Sequence, residues 1–218
     1  MYNDNWSSKF LKDKLKEFDS IKTITASDSN LLKIERKKGE SFLTFTMSLE
    51  LIELNDIEEI VNYKSDIKFI TNIKKEYKIS GSAMNFLNNK RISFGGMGDL
   101  MRFANKENNS LQVDKEFEFV QRGLNQHNKV KSIERLDNKR IKIERIVLND
   151  VIAVMNNDYE LGTESVRSYK ARFNDFKIMI STNPNARIST EANTVASSLS
   201  IDICTWGELL GKLNTFWN

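Results

Sequence analysis

Residues 176–213 run FKIMISTNPNARISTEANTVASSLSIDICTWGELLGKL. The unbroken apolar run Ile178–Ile180 is the pattern of a strand covered on both faces. A loop follows, and Ser189 then stands as an N-cap before a helix lined by Ala192, Val195 and Ala196. A second strand spans Ser200–Cys204, and Thr205-Trp206-Gly207-Glu208 is a capping box opening a last helix.

An earlier stretch, residues 67–103, carries the same pattern, and the match extends through the chain. Lys33-Ile34-Glu35-Arg36 recurs as Lys142-Ile143-Glu144-Arg145, 109 positions on. That offset also pairs Phe10 with Phe119, Leu15 with Leu124, Lys22 with Lys131, Ile24 with Ile133 and Asp28 with Asp137. Nine identities in residues 10–36 compare with about two by chance at ordinary residue frequencies. The offset returns at Ile79-Ser80 with Ile188-Ser189, Ala83 with Ala192, Ile92 with Ile201, Gly98 with Gly207 and Leu100 with Leu209. Between these blocks Thr71-Asn72 matches Thr182-Asn183 at 111, which implies small compensating indels. Internal repeats of this kind decide architecture before any local signal does.

Each copy predicts the same elements. An amphipathic helix (Phe10, Leu11, Leu15 and Phe18; Phe119, Val120 and Leu124) precedes three strands, at 21–26, 31–36 and 42–47 or 130–135, 140–146 and 151–155. A helix follows, carrying Leu54, Ile57, Ile60 and Val61, or Leu161, Val166, Tyr169 and Phe173. Then come a strand (67–71; 177–181), a helix from Ser80 or Ser189, a strand (91–94; 200–204) and a last helix. The polar stretch 105–114, NKENNSLQVD, is the expected boundary, giving domains 1–106 and 107–218.

The totals describe an ordinary globular chain: 218 residues, 39% hydrophobic, 29% charged, net charge +3. The charge allows nucleic-acid contact without arguing for it, since binders carry a denser basic stripe. A single cysteine, Cys204, excludes an internal disulfide and suits a reducing cytosol. The start MYNDNWSSKF has neither the basic nor the apolar region of a signal peptide, and no apolar run suits a bilayer, so the expectation is a cytoplasmic protein without membrane contact.

The order helix, three strands, helix, strand, helix, strand, helix resembles the PD-(D/E)xK restriction-endonuclease-like fold. The nearest resemblance is to the Mrr-type catalytic domain, carried by Ile180-Ser181-Thr182-Asn183, Thr190-Glu191-Ala192, Ile201–Cys204 and Gly207-Glu208-Leu209-Leu210. It covers residues 146–213 well and 67–103 more weakly. The fold it implies is α/β, two tandem copies of a small restriction-endonuclease-like α/β/α unit.

The resemblance also implies a Mg²⁺ site built from an Asp on the second strand, a Glu or Gln on the third and a Lys two residues beyond. Mg²⁺ is a hard cation that takes oxygen ligands, which is why carboxylates are needed. The third strands, Asp150–Asn156 and Phe42–Met47, hold no (Glu/Gln)-x-Lys. Glu35 and Glu144, with Asp150, are the alternative catalytic or metal-ligating residues. A half-exposed strand turning polar residues outward explains the same pattern.

Arg167, Lys170 and Arg172 could present a basic face to nucleic acid if they converge with other cations. Trp6, Phe216 and Trp217 are candidate partner anchors. His127 replaces Phe18 of the other copy, which points to packing. Gly95-Gly96-Met97-Gly98 is a helix-entry turn without the Lys-Ser/Thr of a phosphate loop.

Three functions follow. The first is a catalytically inactive nuclease-like protein bound to a larger protein partner or to nucleic acid, in bacterial DNA processing or anti-phage defence, with no cofactor. The second is a nuclease with an atypical site, needing Mg²⁺. The third is a nucleotide or small-ligand sensor.

Overall fold

The computed structural model describes residues 5–28 and 30–216, so Trp217 lies outside the described residues. The protein is mixed α/β, with eight helices among the described residues, and divides into two compact units, Met1–Val113 and Asp114–Asn218. The stretch 105–113 packs on the first unit. Arg36 Nη1 donates to Asn109 Oδ1 (2.8 Å), and the Gln112 N–H donates to Ser93 Oγ (2.8 Å).

The first unit runs α1 (Asn5–Leu15), β1 (Ile21–Asp28), β2 (Leu31–Arg36), β3 (Phe42–Met47), β4 (Leu51–Ile52), α2 (Leu54–Tyr63), β5 (Ile67–Asn72), β6 (Lys78–Ile79), α3 (Gly81–Asn89), β7 (Ser93–Gly95) and α4 (Met97–Ala104). Its sheet has the order β1-β2-β3-β5-β7, antiparallel through β3 and parallel beyond. The second unit runs α5 (Lys115–Asn125), β8 (Val130–Arg135), β9 (Arg140–Arg145), β10 (Val151–Asn156), β11 (Glu160–Leu161), α6 (Thr163–Phe173), β12 (Ile178–Ser181), β13 (Arg187–Ile188), α7 (Thr190–Ser198), β14 (Asp202–Thr205) and α8 (Trp206–Lys212). Its sheet repeats the order as β8-β9-β10-β12-β14, with the same change of direction.

Both sheet faces are covered, which is why the central strands are apolar throughout. In the first unit Leu11 and Leu15 of α1 and Leu100 and Phe103 of α4 pack with Leu32, Ile34 and Phe42. Ile57, Ile60 and Val61 of α2 and Ala83 and Leu87 of α3 join Phe45, Met47 and Ile70 in a second cluster. The second unit divides its core the same way, with Val120, Leu124 and Leu209 in one cluster and Val166, Phe173, Ala192 and Ala196 in the other. Each of the larger of these side chains, Val, Leu, Ile, Met or Phe, contributes about 1.5–3 kcal/mol when fully buried.

The register is common to both units and keeps one spacing. Asn72 pairs with Met47 as Ser181 pairs with Asn156. The bonds Thr46 N–H to Asn30 O, Ile73 N–H to Met47 O and Ser80 N–H to Ile52 O have partners 109 residues on: Met155 to Lys139, Thr182 to Asn156 and Ser189 to Leu161. The 111-residue match of Thr71-Asn72 with Thr182-Asn183 is therefore not the structural one; the strand pairs Asn72 with the position of Ser181, and no indel is needed.

Other differences from expectation are local. Helix α1 ends at Leu15, and Phe18 lies in the turn beyond, where its N–H reaches Leu15 O. Strands β7 and β14 begin at Ser93 and Asp202 because Arg91 and Ser200 hold left-handed backbone that ends the preceding helices. The pairs β4–β6 and β11–β13 are two residues long, too short to leave a periodic signal. No helix of the described residues is long and apolar enough to cross a membrane.

Candidate functional site

In the second unit a polar network gathers at the carboxyl ends of β10 and β12, the edge where open α/β sheets bind ligands. Lys139, in the β8–β9 turn, places Nζ 2.8 Å from Glu116 Oε2 in the first turn of α5. The Thr182 hydroxyl, just past β12, donates to Glu116 Oε1 (2.6 Å) and lies 3.0 Å from Asn156 O. Asn156 ends β10 and is fully buried; its amide donates to Asp158 Oδ2 (2.7 Å), and its Oδ1 accepts the Asp158 N–H (3.1 Å). Tyr169 of α6 stands beside the Asn156 side chain, which favours the ionised phenol and offsets part of the effect of burial.

Local chemistry fixes this geometry. Asp137, itself buried, accepts the N–H groups of Lys139 (2.8 Å) and Arg140 (2.6 Å) and the Arg140 Nε (2.8 Å), an Asx-type turn that holds Lys139 in place. Asp114 caps α5 by accepting from Glu116 and Phe117, and it also pairs with Arg135, whose guanidinium lies over the Phe117 ring. Burial alone would lower the Lys139 pKa, but Glu116, Tyr169 and Asp114 together outweigh it and carry the ammonium above the ordinary lysine range. Burial pushes the Tyr169 phenol up, which keeps it protonated. The network thus joins one cation, Lys139, and two carboxylates, Glu116 and Asp158, to three neutral hydrogen-bonding groups.

The first unit works as an internal control. At the corresponding positions it carries Ser7 for Glu116, Asn30 for Lys139, Met47 for Asn156, Leu49 for Asp158, Ile60 for Tyr169 and Ile73 for Thr182. Met47 and Ile60 lie in its core, and Leu49 packs against them. Ser7 and Asn30 are buried too, and Asn72 at this edge bonds the Leu49 backbone both ways, so the first unit keeps neutral polar groups here but has apolar side chains at 47, 49, 60 and 73 and no ion pair matching Lys139–Glu116. Buried polar groups cost stability unless fully paired, and where a fold tolerates them they mark function.

The residues singled out from sequence lie elsewhere. Glu35 accepts from the Thr23 hydroxyl (2.8 Å) and lies 3.6 Å from Lys33. Glu144 accepts from the Ser132 hydroxyl (2.6 Å), and Lys142 bridges it to Asp150 (3.6 and 3.0 Å). These bonds hold all three carboxyls below the ordinary carboxylate range, led by Thr23 for Glu35, Ser132 for Glu144 and Lys142 for Asp150. Glu144 and Asp150 flank the β9–β10 turn, at the end of β10 opposite Asn156. Among the described residues no group of three or more His, Cys, Asp or Glu side chains is disposed to hold a metal.

Arg167 pairs with Glu164 (3.2 Å), Lys170 donates to Asn174 O (2.6 Å), and Arg172 lies over Phe173, so each is held by its own local partner. Trp6 stacks on Phe10 at 5.4 Å, and Phe216 is exposed. His127 Nε2 lies 3.0 Å from Leu210 O, and its Nδ1 accepts the Lys129 N–H. Cys204 is buried, and that burial raises its thiol to about 11, an unreactive state.

The network escapes a linear reading because Glu116, Lys139, Asn156, Tyr169 and Thr182 come from separate elements. A signal existed in the comparison of the two units: polar residues stand at 156, 158, 169 and 182 where the first unit has apolar ones at 47, 49, 60 and 73. Comparison with protein-family models, with curated proteins and with solved structures gives no match to this chain.

Proposed function

We propose that this chain is a duplicated restriction-endonuclease-like unit that has lost phosphodiester hydrolysis and works as a binding protein for a larger partner in bacterial DNA processing or anti-phage defence. The common spacing of 109 residues in strand pairing and backbone hydrogen bonds supports the duplication. One observation carries the loss of catalysis. The third strands end in Phe45-Thr46-Met47 and Val154-Met155-Asn156, where the resemblance calls for a carboxylate and a lysine. At the carboxyl edge of the second unit the Glu116 carboxylate is held by the Lys139 ammonium at 2.8 Å.

The test is direct. Plasmid, single-stranded DNA and RNA incubated with the protein in Mg²⁺ or Mn²⁺ stay intact. Cleavage that disappears on Glu144→Ala, or on Lys139→Ala, overturns the reading. Partner binding is checked by co-expression with the products of flanking genes and size-exclusion chromatography; elution of the chain alone from every pair speaks against a stable partner among them.

A further inference from the structure

We propose that the rim of the second unit's carboxyl edge binds a free nucleoside monophosphate, its base stacked on Tyr159 and its phosphate held by Arg187. The inference rests on the reading above, since an active nuclease could hold a mononucleotide merely as product. Tyr159, the residue before β11, and Arg187, the first of β13, stand at the start of the short β11–β13 ladder, next in the chain to Asp158 of the Lys139–Asn156 network. The Arg187 N–H donates to Tyr159 O (2.7 Å), and the guanidinium carbon lies 5.4 Å from the Tyr159 ring centroid. That contact is a cation–π pair, which orients the guanidinium before any ligand arrives.

Two properties suit this pair to a flat anionic ligand. Arg187 is exposed, and no carboxylate among the described residues pairs with it, unlike Arg135, Arg140 and Arg167. Tyr159 is 50% exposed, so its ring can still take a planar group. A guanidinium fork matches phosphate oxygens, and an aromatic ring stacks on any base. The first unit has Glu50 and Lys78 at these positions, with Glu50 salt-bridged to Lys74 at 3.0 Å, so the stack belongs to the second unit alone.

The flanking loops are pre-formed. Asn183 Oδ1 accepts the Asn185 N–H (2.9 Å), Asn183 Nδ2 reaches Asn157 O (3.4 Å), and Asn156 holds Asp158 from both sides. A ligand entering between them therefore meets little loop-ordering cost. The surroundings select a small ligand over a polymer. Single strands need a run of cations along the backbone, whereas this pair offers one guanidinium with Asp158 and Glu160 (the strand partner of Arg187) close in the chain, so one phosphate is opposed less than a string of them.

Isothermal titration of the full chain in EDTA tests this with the four 5′-ribonucleoside monophosphates, adenosine, ribose 5-phosphate, inorganic phosphate and a thymidine octamer. At least one monophosphate is expected to saturate with a Kd below about 1 mM. Adenosine, ribose 5-phosphate and phosphate should bind at least about tenfold more weakly, as should the Tyr159→Ala and Arg187→Gln proteins toward the monophosphate. Both substitutions are at exposed side chains, and circular dichroism checks that the variants remain folded; Tyr63→Ala, an exposed tyrosine of the first unit, should bind like wild type. The proposal is overturned by the absence of saturable binding by any monophosphate, by unchanged affinity in both variants, or by preference for the octamer. None of those results produces strand cleavage, so they leave the inactive-nuclease reading standing; cleavage in the Mg²⁺ assay removes both.

Discussion

Arg91 and Ser200, 109 residues apart, hold the same left-handed backbone, with φ of 56° and 55°. Each follows the end of a helix, α3 or α7, and each N–H bonds back three residues, to Asn88 O or Ser197 O. The next N–H reaches five back, from Ile92 to Leu87 O and from Ile201 to Ala196 O. These are paired Schellman motifs, a C-terminal stop that ordinarily uses glycine. Non-glycine residues are strained there, so Arg91→Gly and Ser200→Gly should each stabilise their unit by about 0.5–1 kcal/mol. Urea denaturation reads the gain directly; a loss at either site would mean that the side chain supports the turn more than its backbone strains it.

Lys139 and Glu116 form the one lysine–carboxylate pair of the network, with side chains 28% and 14% exposed. Lys139→Met leaves Glu116 without its cation and should cost about 1–3 kcal/mol, part of which Glu116→Gln restores in the double variant. The alkaline limb carries a second signature. The folded-state pKa of Lys139 is raised, so its contribution is complete below the unfolded lysine value, about 10.4, and disappears as pH climbs through the folded value. Wild type should lose stability through that window more steeply than Lys139→Met. Parallel curves for the two proteins would show that the pair contributes nothing.

How much of this was legible in the chain divides along range of interaction. Helices with caps at Ser80, Ser189 and Thr205 and strands with runs such as Ile178–Ile180 are local patterns, and the structure forms them there. Thr71-Asn72 misled because two identities outweighed register, which only the pairing of β5 with β3 settles. The candidate site was hidden for a related reason. Lys139 lies in a turn and Thr182 just past a strand, and only packing against α5 brings both onto Glu116. Glu144 drew attention through its repeat in Glu35, yet both bond the hydroxyl of a neighbouring edge strand, at Ser132 and Thr23, a surface role that sequence identity alone does not distinguish from chemistry.

The substitution of polar for apolar residues between units makes an asymmetric prediction. Met47 is 1% exposed among Ile57, Ile60 and Ile70, and Met47→Asn puts an amide there without the Asp158 and Tyr169 partners that Asn156 enjoys. The cost should be about 2–4 kcal/mol, or failure to fold the first unit. Asn156→Met loses hydrogen bonds but gains an apolar group, and should cost less, about 1–2 kcal/mol. Comparable losses at the two sites would remove the argument that the second unit is built to hold a polar group at the end of its third strand and the first unit is not.

Gly123 tests the packing of α5 on α8. A Cβ there would lie 2.4 Å from Trp206 Cζ2 and 3.2 Å from its Cη2, so the helix leaves a bare backbone on which the indole rests. Trp206 is also set against Phe119, with ring centroids 5.1 Å apart. Helix propensity favours alanine over glycine by about 1 kcal/mol, which would make Gly123→Ala stabilising if the indole could move freely. The ring is wedged between Phe119 and the core around Leu209, and displacing it costs about 1–3 kcal/mol. The packing effect is the larger, so Gly123→Ala should be neutral to destabilising by up to about 2 kcal/mol, with a change in tryptophan emission. Lys14 occupies the matching place in the first unit, where Met97 replaces the indole, and Lys14→Ala should leave stability within about 0.5 kcal/mol. A clear gain in stability for Gly123→Ala would show that Trp206 is free to leave its seat.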